Sequence, residues 1–401
     1  MKILVIHNKY QQAGGEDNVV AAEAKLLADY GHEVELWSVD NKDLPTGFTG
    51  KIKTALTTSY SSASRAIAQD KLRRFQPYVV HVHNFFPQIS PSIYDACLDE
   101  NVPVIQTLHN YRLICPGAML MRQGKICEQC VTGTPYQAAW YGCYRGSKLG
   151  SLVVAHMVAE HRRQGTWQHK VNRFIALTGF AKSKFVEAGF PADKIAVKAN
   201  FVDDPLQINF HPNLLPEGEG AFALKSTALF PGFALYVGRI SEEKGIKTLL
   251  KAWSSMDDQD LLKVAGVGPL EALMQGKNNI APLGRKNATE ISELMQGASF
   301  LVLPSEWYEG FPLVLVEAFA HGLPVLASRL GSMAEIIKDS ETGLLFAPGD
   351  ADDLAEKAKW LLDNPQQSQK LGGNARRTFL AKYTAEQNYS QLIEIYESVT
   401  K

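Results

Sequence analysis

The 401-residue sequence has no uninterrupted apolar run of about 18 residues, the length a helix needs to cross a bilayer. It has no low-complexity tract, so a disordered chain is not expected either. Neither sign of charge is in excess: 41 Lys and Arg stand against 42 Asp and Glu. No basic stretch interleaved with aromatics and no recognition module is visible, which argues against nucleic acid as a partner. Cysteine is scarce, with five residues in all. The opening MKILVIHNKY carries one Lys before a short apolar run, too short for the core of a signal peptide and suited to a first core strand. The expectation is a cytoplasmic protein.

What is present is globular in composition, 45% hydrophobic and 21% charged, and long enough for two or three domains. Charge is unevenly placed. Residues 1–203 hold 23 Lys and Arg against 17 Asp and Glu, and the remainder holds 18 against 25. The basic half includes Lys51, Lys53, Arg65, Lys71, Arg73, Arg74, Arg145, Lys148, Arg162 and Arg163. Such a surface suits a peripheral contact with an anionic membrane, at its inner face, or a phosphate-bearing acceptor. Solvated helix faces account for the same residues equally well.

Short β-branched runs alternate with longer amphipathic ones. Strands are expected at Lys2–His7, Glu33–Ser38, Val79–His83, Val102–His109, Phe174–Thr178 and Ile195–Ala199, with a helix at Asn18–Tyr30 ending on Gly31. Residues 205–231 are rich in Pro and Gly without a clean period and suit a linker. Alternation resumes with strands at Phe233–Gly238, Leu261–Ala265, Phe300–Pro304, Pro324–Ser328 and Gly343–Ala347. The pattern implies two α/β, Rossmann-like, doubly wound parallel-sheet domains facing across a cleft, with ligands at the strand carboxyl ends. The expected division is 1–204, carrying an insertion at 110–146, then the linker, then 232–383. A last helical stretch, 384–401, lies beyond the second pattern.

The most informative segment is Ser305–Pro324, SEWYEGFPLVLVEAFAHGLP, which follows the apolar strand FLVLP. Gly310 would let the backbone approach a ligand, and Pro312 fits the first helical position. Amides around Phe311, Leu313 and Val314 would then face a diphosphate. Glu309 stands before the helix and Glu317 within it, and a carboxylate is a common partner for paired ribose hydroxyls. In VGRISEEKG, Arg239 and Lys244 follow a strand end five residues apart, two cations suited to a departing diphosphate.

Taken together, EGFPLVLVE, GRISEEKG, AHGLPVLAS and GLLFAPGD, in their order along the chain, resemble the family 4 retaining glycosyltransferases of the GT-B fold. The resemblance implies that Arg239 and Lys244 hold the donor pyrophosphate, Glu317 the nucleotide ribose, and Glu309 the transferred sugar. It implies that Gly14, Gly15 and Glu16 form a glycine-rich loop near the donor phosphate, and that His109 faces the donor sugar. His83, near another strand end, is a weaker candidate. The terminal helix is expected to cross back onto the first domain. The implied reaction is metal-independent front-face transfer from a nucleoside-diphosphate sugar to a glycan or lipid-linked acceptor, as in surface-polysaccharide or glycolipid assembly, with no cofactor for catalysis. Base contacts fall near Gly284, Arg285 and Lys286. A non-catalytic nucleotide-sugar sensor or scaffold, or an epimerase of related fold, uses similar parts.

Four of the five cysteines, Cys115, Cys127, Cys130 and Cys143, fall inside the insertion. Their spacing suits a tetrahedral thiolate site, most simply a structural zinc pinning the insertion. Unliganded thiols are the alternative. Cys97 belongs to a core helix.

Overall fold

The computed structural model describes residues 1–11, 14–45, 47–206 and 232–400. The expected linker lies outside the described residues apart from Pro205 and Leu206. The chain divides into two compact units, one of residues 1–200 with 385–401 and the other of residues 201–384.

Unit 1 contains β1 (Lys2–Lys9), β2 (Glu33–Asp40), β3 (Val79–Asn84), β4 (Val104–Leu108), a small hairpin of β5 (Met121–Arg122) and β6 (Lys125–Ile126), then β7 (Arg173–Ala176) and β8 (Ile195–Val197). Its main sheet runs β2-β1-β3-β4-β7-β8, and every pairing is parallel. In register, Val5 lies between Leu36 and His81. β3 is buried along its whole length, as expected where helices cover both faces of a parallel sheet. The connecting helices begin on polar caps: Ser61 accepts from the amide of Ser64, and Thr178 from that of Ala181.

Ile3, Val5, Val20, Leu27, Val79, Ile105 and Ile175 form one core cluster with Leu392 and Tyr396 of the terminal helix, Ala385–Thr400. Tyr389 of that helix stacks on Tyr30 at 3.8 Å and shares a 2.8 Å hydrogen bond with His32. Asn388 donates to the Ala199 carbonyl at 2.9 Å. Burying Leu392 and Tyr396 contributes about 1.5–3 kcal/mol for each side chain.

Unit 2 contains β9 (Phe233–Val237), β10 (Leu262–Ala265), β11 (Ile280–Gly284), β12 (Ala298–Leu303), β13 (Val325–Ser328) and β14 (Gly343–Phe346). The order is β11-β10-β9-β12-β13-β14, again all parallel. Tyr236, Ile246, Leu249, Trp253, Phe300 and Phe346 belong to its core. β11 is a strand that the sequence pattern did not announce. Pro282 sits in its middle, which a strand tolerates at a sheet edge, where one side needs no ladder donor.

In both sheets the direction of growth reverses, between β1 and β3 in unit 1 and between β9 and β12 in unit 2. A crevice opens outside the carboxyl ends of the strands at such a reversal, because the loops there part to opposite faces. Among the described residues no helix is long and apolar enough to cross a membrane.

Candidate active site

The reversal in unit 2 places the loop after β9 beside the loop after β12. The first runs through Arg239 and a 3₁₀ turn, Glu242–Lys244, into the helix Ile246–Trp253. Between them Gly245 takes φ +70°, and a Cβ there would lie 1.8 Å from the Pro304 carbonyl oxygen. Only glycine lets the two loops approach this closely. The second loop brings Ser305 to Glu309 against the first: Lys244 Nζ meets Glu309 Oε1 at 2.6 Å, and Ser305 Oγ donates to the same oxygen at 2.7 Å. Lys244 also stands 5.5 Å from the centre of the Trp307 ring. The Trp307 indole N–H is buried without an acceptor.

Arg239 pairs instead with Glu243, whose Oε1 also accepts from Ser241 at 2.7 Å. The two cations singled out from the sequence are thus each matched to a carboxylate of their own loop pair. Sequence spacing gave no sign of Glu243, Ser305 or Trp307.

The helix after this loop spans Leu313–Ala320, with Pro312 as its N-cap at ψ 99° rather than at the first helical position. No side chain caps it, so the first amides stay available to an anion. Gly310 receives the Ser332 hydroxyl on its carbonyl at 3.1 Å, and Phe311 packs edge-on against Tyr383 with ring centres 6.1 Å apart. Glu317, one turn into the helix, is half-buried. Burial raises its pKa above the usual carboxylate value. No partner of its carboxylate is found among the described contacts, in contrast to Glu309.

Two Asp-x-Asp triplets occur in this unit, Asp258–Asp260 and Asp350–Asp352. Both serve the fold. Asp350 caps the helix Ala351–Asp363 by accepting from Asp352 and Asp353 at 3.0 and 3.1 Å, and Asp260 pairs with Lys359 at 3.3 Å. The segment Gly284–Lys286 closes β11, and Lys286 pairs with Glu290 at 2.8 Å.

In unit 1 the reversal between β1 and β3 gathers histidines. His7 is on β1 and His81 and His83 are on β3, while His109 follows the last residue of β4. His83 Nδ1 lies 2.9 Å from His109 Nε2. A pocket lined by His83, Asn84, Phe86, Gln106, His109 and Arg112 opens there. Burial pushes the His109 pKa down to about 3, so the ring is neutral at physiological pH.

Gly14 is the N-cap and Gly15 the first residue of the helix Gly15–Asp29. The Gly14 amide donates to Asp17 at 3.0 Å, and Asp17 also meets His7 at 2.7 Å. Glu16 accepts from the Tyr10 hydroxyl at 2.8 Å, and burial raises its carboxyl to about 8. The glycine pair therefore begins the first helix after β1.

The four cysteines singled out from the sequence lie near one another. Cys115, Cys127, Cys130 and Cys143 all lie in the insertion as free thiols. Burial, then neighbouring Cys115, Cys143 and Cys127, pushes Cys130 up to about 12. Yet among the described residues the one group whose ligand atoms converge within 4.8 Å is Glu23, His81 and His83. The four thiols as they stand do not make a closed tetrahedral set. Protein groups also pin the insertion. The Arg162 guanidinium donates to the carbonyls of Cys130, Val131 and Gly133 at 2.9, 3.2 and 2.9 Å, and Lys184 pairs with Glu128 at 2.8 Å. Arg162 satisfies carbonyls that the short helix Gln129–Thr132 leaves open.

Three neighbouring helices of unit 1, Phe48–Ser59, Gln137–Tyr141 and Lys148–Arg163, leave large apolar side chains in solvent. Leu56, Trp140 and Leu149 are 75%, 76% and 77% exposed. Exposed Lys51, Lys53, Arg145 and Lys148 lie on or beside these helices, with Lys148 5.5 Å from the Trp140 ring centre.

A family model described as "Glycosyltransferase Family 4" matches residues 13–205, and one described as "Glycosyl transferases group 1" matches residues 228–378. An uncharacterised glycosyltransferase of Methanocaldococcus jannaschii is 34% identical over 174 residues, which are 42% of this chain and 48% of that protein. An MMP alpha-(1→4)-mannosyltransferase of Mycolicibacterium hassiacum is 32% identical over 164 residues, 38% of this chain and 40% of that protein. The matched segments thus span less than half the length of these relatives. In fold, the chain resembles the Anabaena protein HepE, solved in complex with UDP, with a TM-score of 0.67 at 17% identity over 99% of this chain and 100% of that one. HepE has also been solved with UDP-glucose.

Proposed function

The chain belongs to the family 4 glycosyltransferases of the GT-B fold, and from that premise we propose that it transfers a sugar from a nucleoside-diphosphate sugar to a glycan or lipid-linked acceptor with retention at the anomeric carbon. One observation carries the reading. At the reversal point of unit 2, Arg239, Lys244 and an uncapped helix start are brought together with Glu317, whose carboxylate has no partner among the described residues. Cations and open amides suit a diphosphate, and the bare carboxylate suits the two hydroxyls of a ribose. HepE has been solved with UDP, a nucleoside diphosphate, and with UDP-glucose, a donor of this class.

A diphosphate entering this site takes the place of Glu243 and Glu309 on the two cations. Glu309, released from Lys244, is then placed to orient the sugar. As the anomeric C–O bond breaks, negative charge grows on the departing diphosphate, where Arg239, Lys244 and the helix amides stabilise it. In front-face transfer the acceptor hydroxyl bonds to the anomeric carbon on the side the diphosphate leaves, and its proton passes to the departing phosphate oxygen. No covalent enzyme nucleophile is required, and the two cations with the helix amides take the place that a metal would hold on the diphosphate. In unit 1 we assign His109 to a sugar hydroxyl and Gly14, Gly15 and Glu16 to the donor phosphate side. Exposed Trp140, Leu149 and Leu56 among lysines support a lipid-linked acceptor at an anionic membrane face, as in surface-polysaccharide or glycolipid assembly.

A thermal-shift screen of nucleoside diphosphates, followed by transfer assays, tests the reading. A ligand present at 100 times its dissociation constant stabilises the protein by about 2.7 kcal/mol. Glu317→Ala is expected to raise the donor KM by about tenfold or more. No shift with any nucleoside diphosphate overturns the proposal. Binding without turnover on any acceptor favours a nucleotide-sugar sensor instead.

A further inference from the structure

His109 ends a chain of buried groups that the proposed reaction does not use directly. Glu23, on the helix Gly15–Asp29, is 2% exposed, and its Oε2 accepts from Lys198 Nζ at 2.9 Å. Its Oε1 is buried with no hydrogen-bond partner and lies 3.6 Å from His83 Nε2 and 3.4 Å from His81 Nδ1. His81 is already satisfied at both nitrogens, by the hydroxyls of Tyr396 and Thr107, each at 2.7 Å. His83 is not: its Nδ1 faces His109 Nε2 at 2.9 Å, and among the described residues Glu23 is the carboxylate within 4 Å of its Nε2.

We infer that Glu23 and His83 are positioning residues that fix the tautomer of His109, leaving its Nδ1 bare as the acceptor for a sugar hydroxyl. An ionised carboxylate only accepts, so the single proton of neutral His83 belongs on Nε2, toward Glu23. His83 Nδ1 is then an acceptor and takes the Nε2 proton of His109. His109 has no proton left for Nδ1.

The charge states support this order. Burial acts to raise the Glu23 carboxyl, but the Lys198 ammonium, as a charge and as a hydrogen-bond donor at 2.9 Å, opposes it, and the carboxyl lies below its usual value. Burial holds both His83 and His109 neutral. Although Glu23, His81 and His83 converge closely enough for a cation, Lys198 already supplies that positive charge. The role given to the His109 Nδ1 rests on the sugar-binding assignment made above; the relay itself does not.

The test is nitrogen-15 spectroscopy of the imidazoles, which separates protonated from bare nitrogens, with no ligand present. In the wild-type protein His83 and His109 are both expected to carry the proton on Nε2. A proton on His83 Nδ1 overturns the relay without any variant. Glu23→Gln gives a sharper version. Lys198 can only donate, so it claims the amide oxygen and turns the amide NH2 toward His83 Nε2. Both tautomers then invert, and His109 Nδ1 becomes a donor. Transfer is expected to fall about ten- to a hundredfold, the cost of one misdirected hydrogen bond, while nucleoside-diphosphate affinity at unit 2 holds. A His109 tautomer unchanged in a folded Glu23→Gln protein defeats the inference. Inverted tautomers with unaltered transfer leave the relay standing and remove His109 from the sugar site.

Discussion

Glu16 stands in the first turn of the helix Gly15–Asp29, where an ionised carboxylate would ordinarily favour the helix start. Here it is enclosed by Tyr10, Asn110 and Arg112, its Oε1 is buried without a partner, and its pKa rises to about 8. The native protein therefore holds this proton over a range where the unfolded chain, with a carboxyl near 4.5, has lost it. Stability from this group is complete below about pH 4.5 and declines as pH rises toward 8. Glu16→Gln, which copies the protonated form, is expected to match the wild-type melting temperature at pH 5 and exceed it at pH 9. Parallel melting curves for the two proteins across that range would show that Glu16 is ionised in the fold.

At the level of elements, the contact between the loops after β9 and β12 depends on Gly245. Alanine there meets both an unfavourable left-handed φ and a carbonyl at 1.8 Å. Gly245→Ala is expected to lower stability by about 1–3 kcal/mol and to weaken nucleoside-diphosphate binding, because Lys244 and Glu309 lose their alignment. Urea unfolding and calorimetric titration read the two effects; unchanged binding would mean that the loops tolerate separation.

Much at this scale was legible in the sequence. The β-branched runs marked each long strand, since strands buried on both faces read as continuous apolar stretches. β11 escaped notice because Pro282 interrupts it, and the β5–β6 hairpin because its strands are two residues each. Glu309, Lys244 and Glu317 were readable from local spacing. Glu23 and the contacts of Arg162 were not, because their partners lie far along the chain: Lys198 is 175 residues from Glu23, and Cys130 is 32 from Arg162. The Arg162 contacts with the insertion escaped notice because cysteine spacing carries no information about a guanidinium that arrives from another helix.

Across the whole molecule, the basic residues and the exposed aromatic and aliphatic side chains both concentrate in unit 1. An interfacial surface combines these two features, apolar side chains for the acyl boundary and cations for anionic headgroups. Wild-type protein is expected to sediment with vesicles of phosphatidylglycerol and phosphatidylcholine, and less with phosphatidylcholine alone. Replacing Trp140 and Leu149 by Glu should abolish sedimentation while leaving donor hydrolysis in solution intact. Equal partitioning of this double variant and wild type would rule the surface out.

The return of Ala385–Thr400 to unit 1 also sets an order of assembly during synthesis. Residues 201–384 are contiguous and can close their own core as they emerge from the ribosome. Unit 1 begins first yet must wait, with Ile3, Val5 and Leu27 short of their cover, until Leu392 and Tyr396 have been made. Of the two units, the one whose first strands are translated earlier is completed later, and for that interval the core side chains that pack on Leu392 and Tyr396 lack this cover.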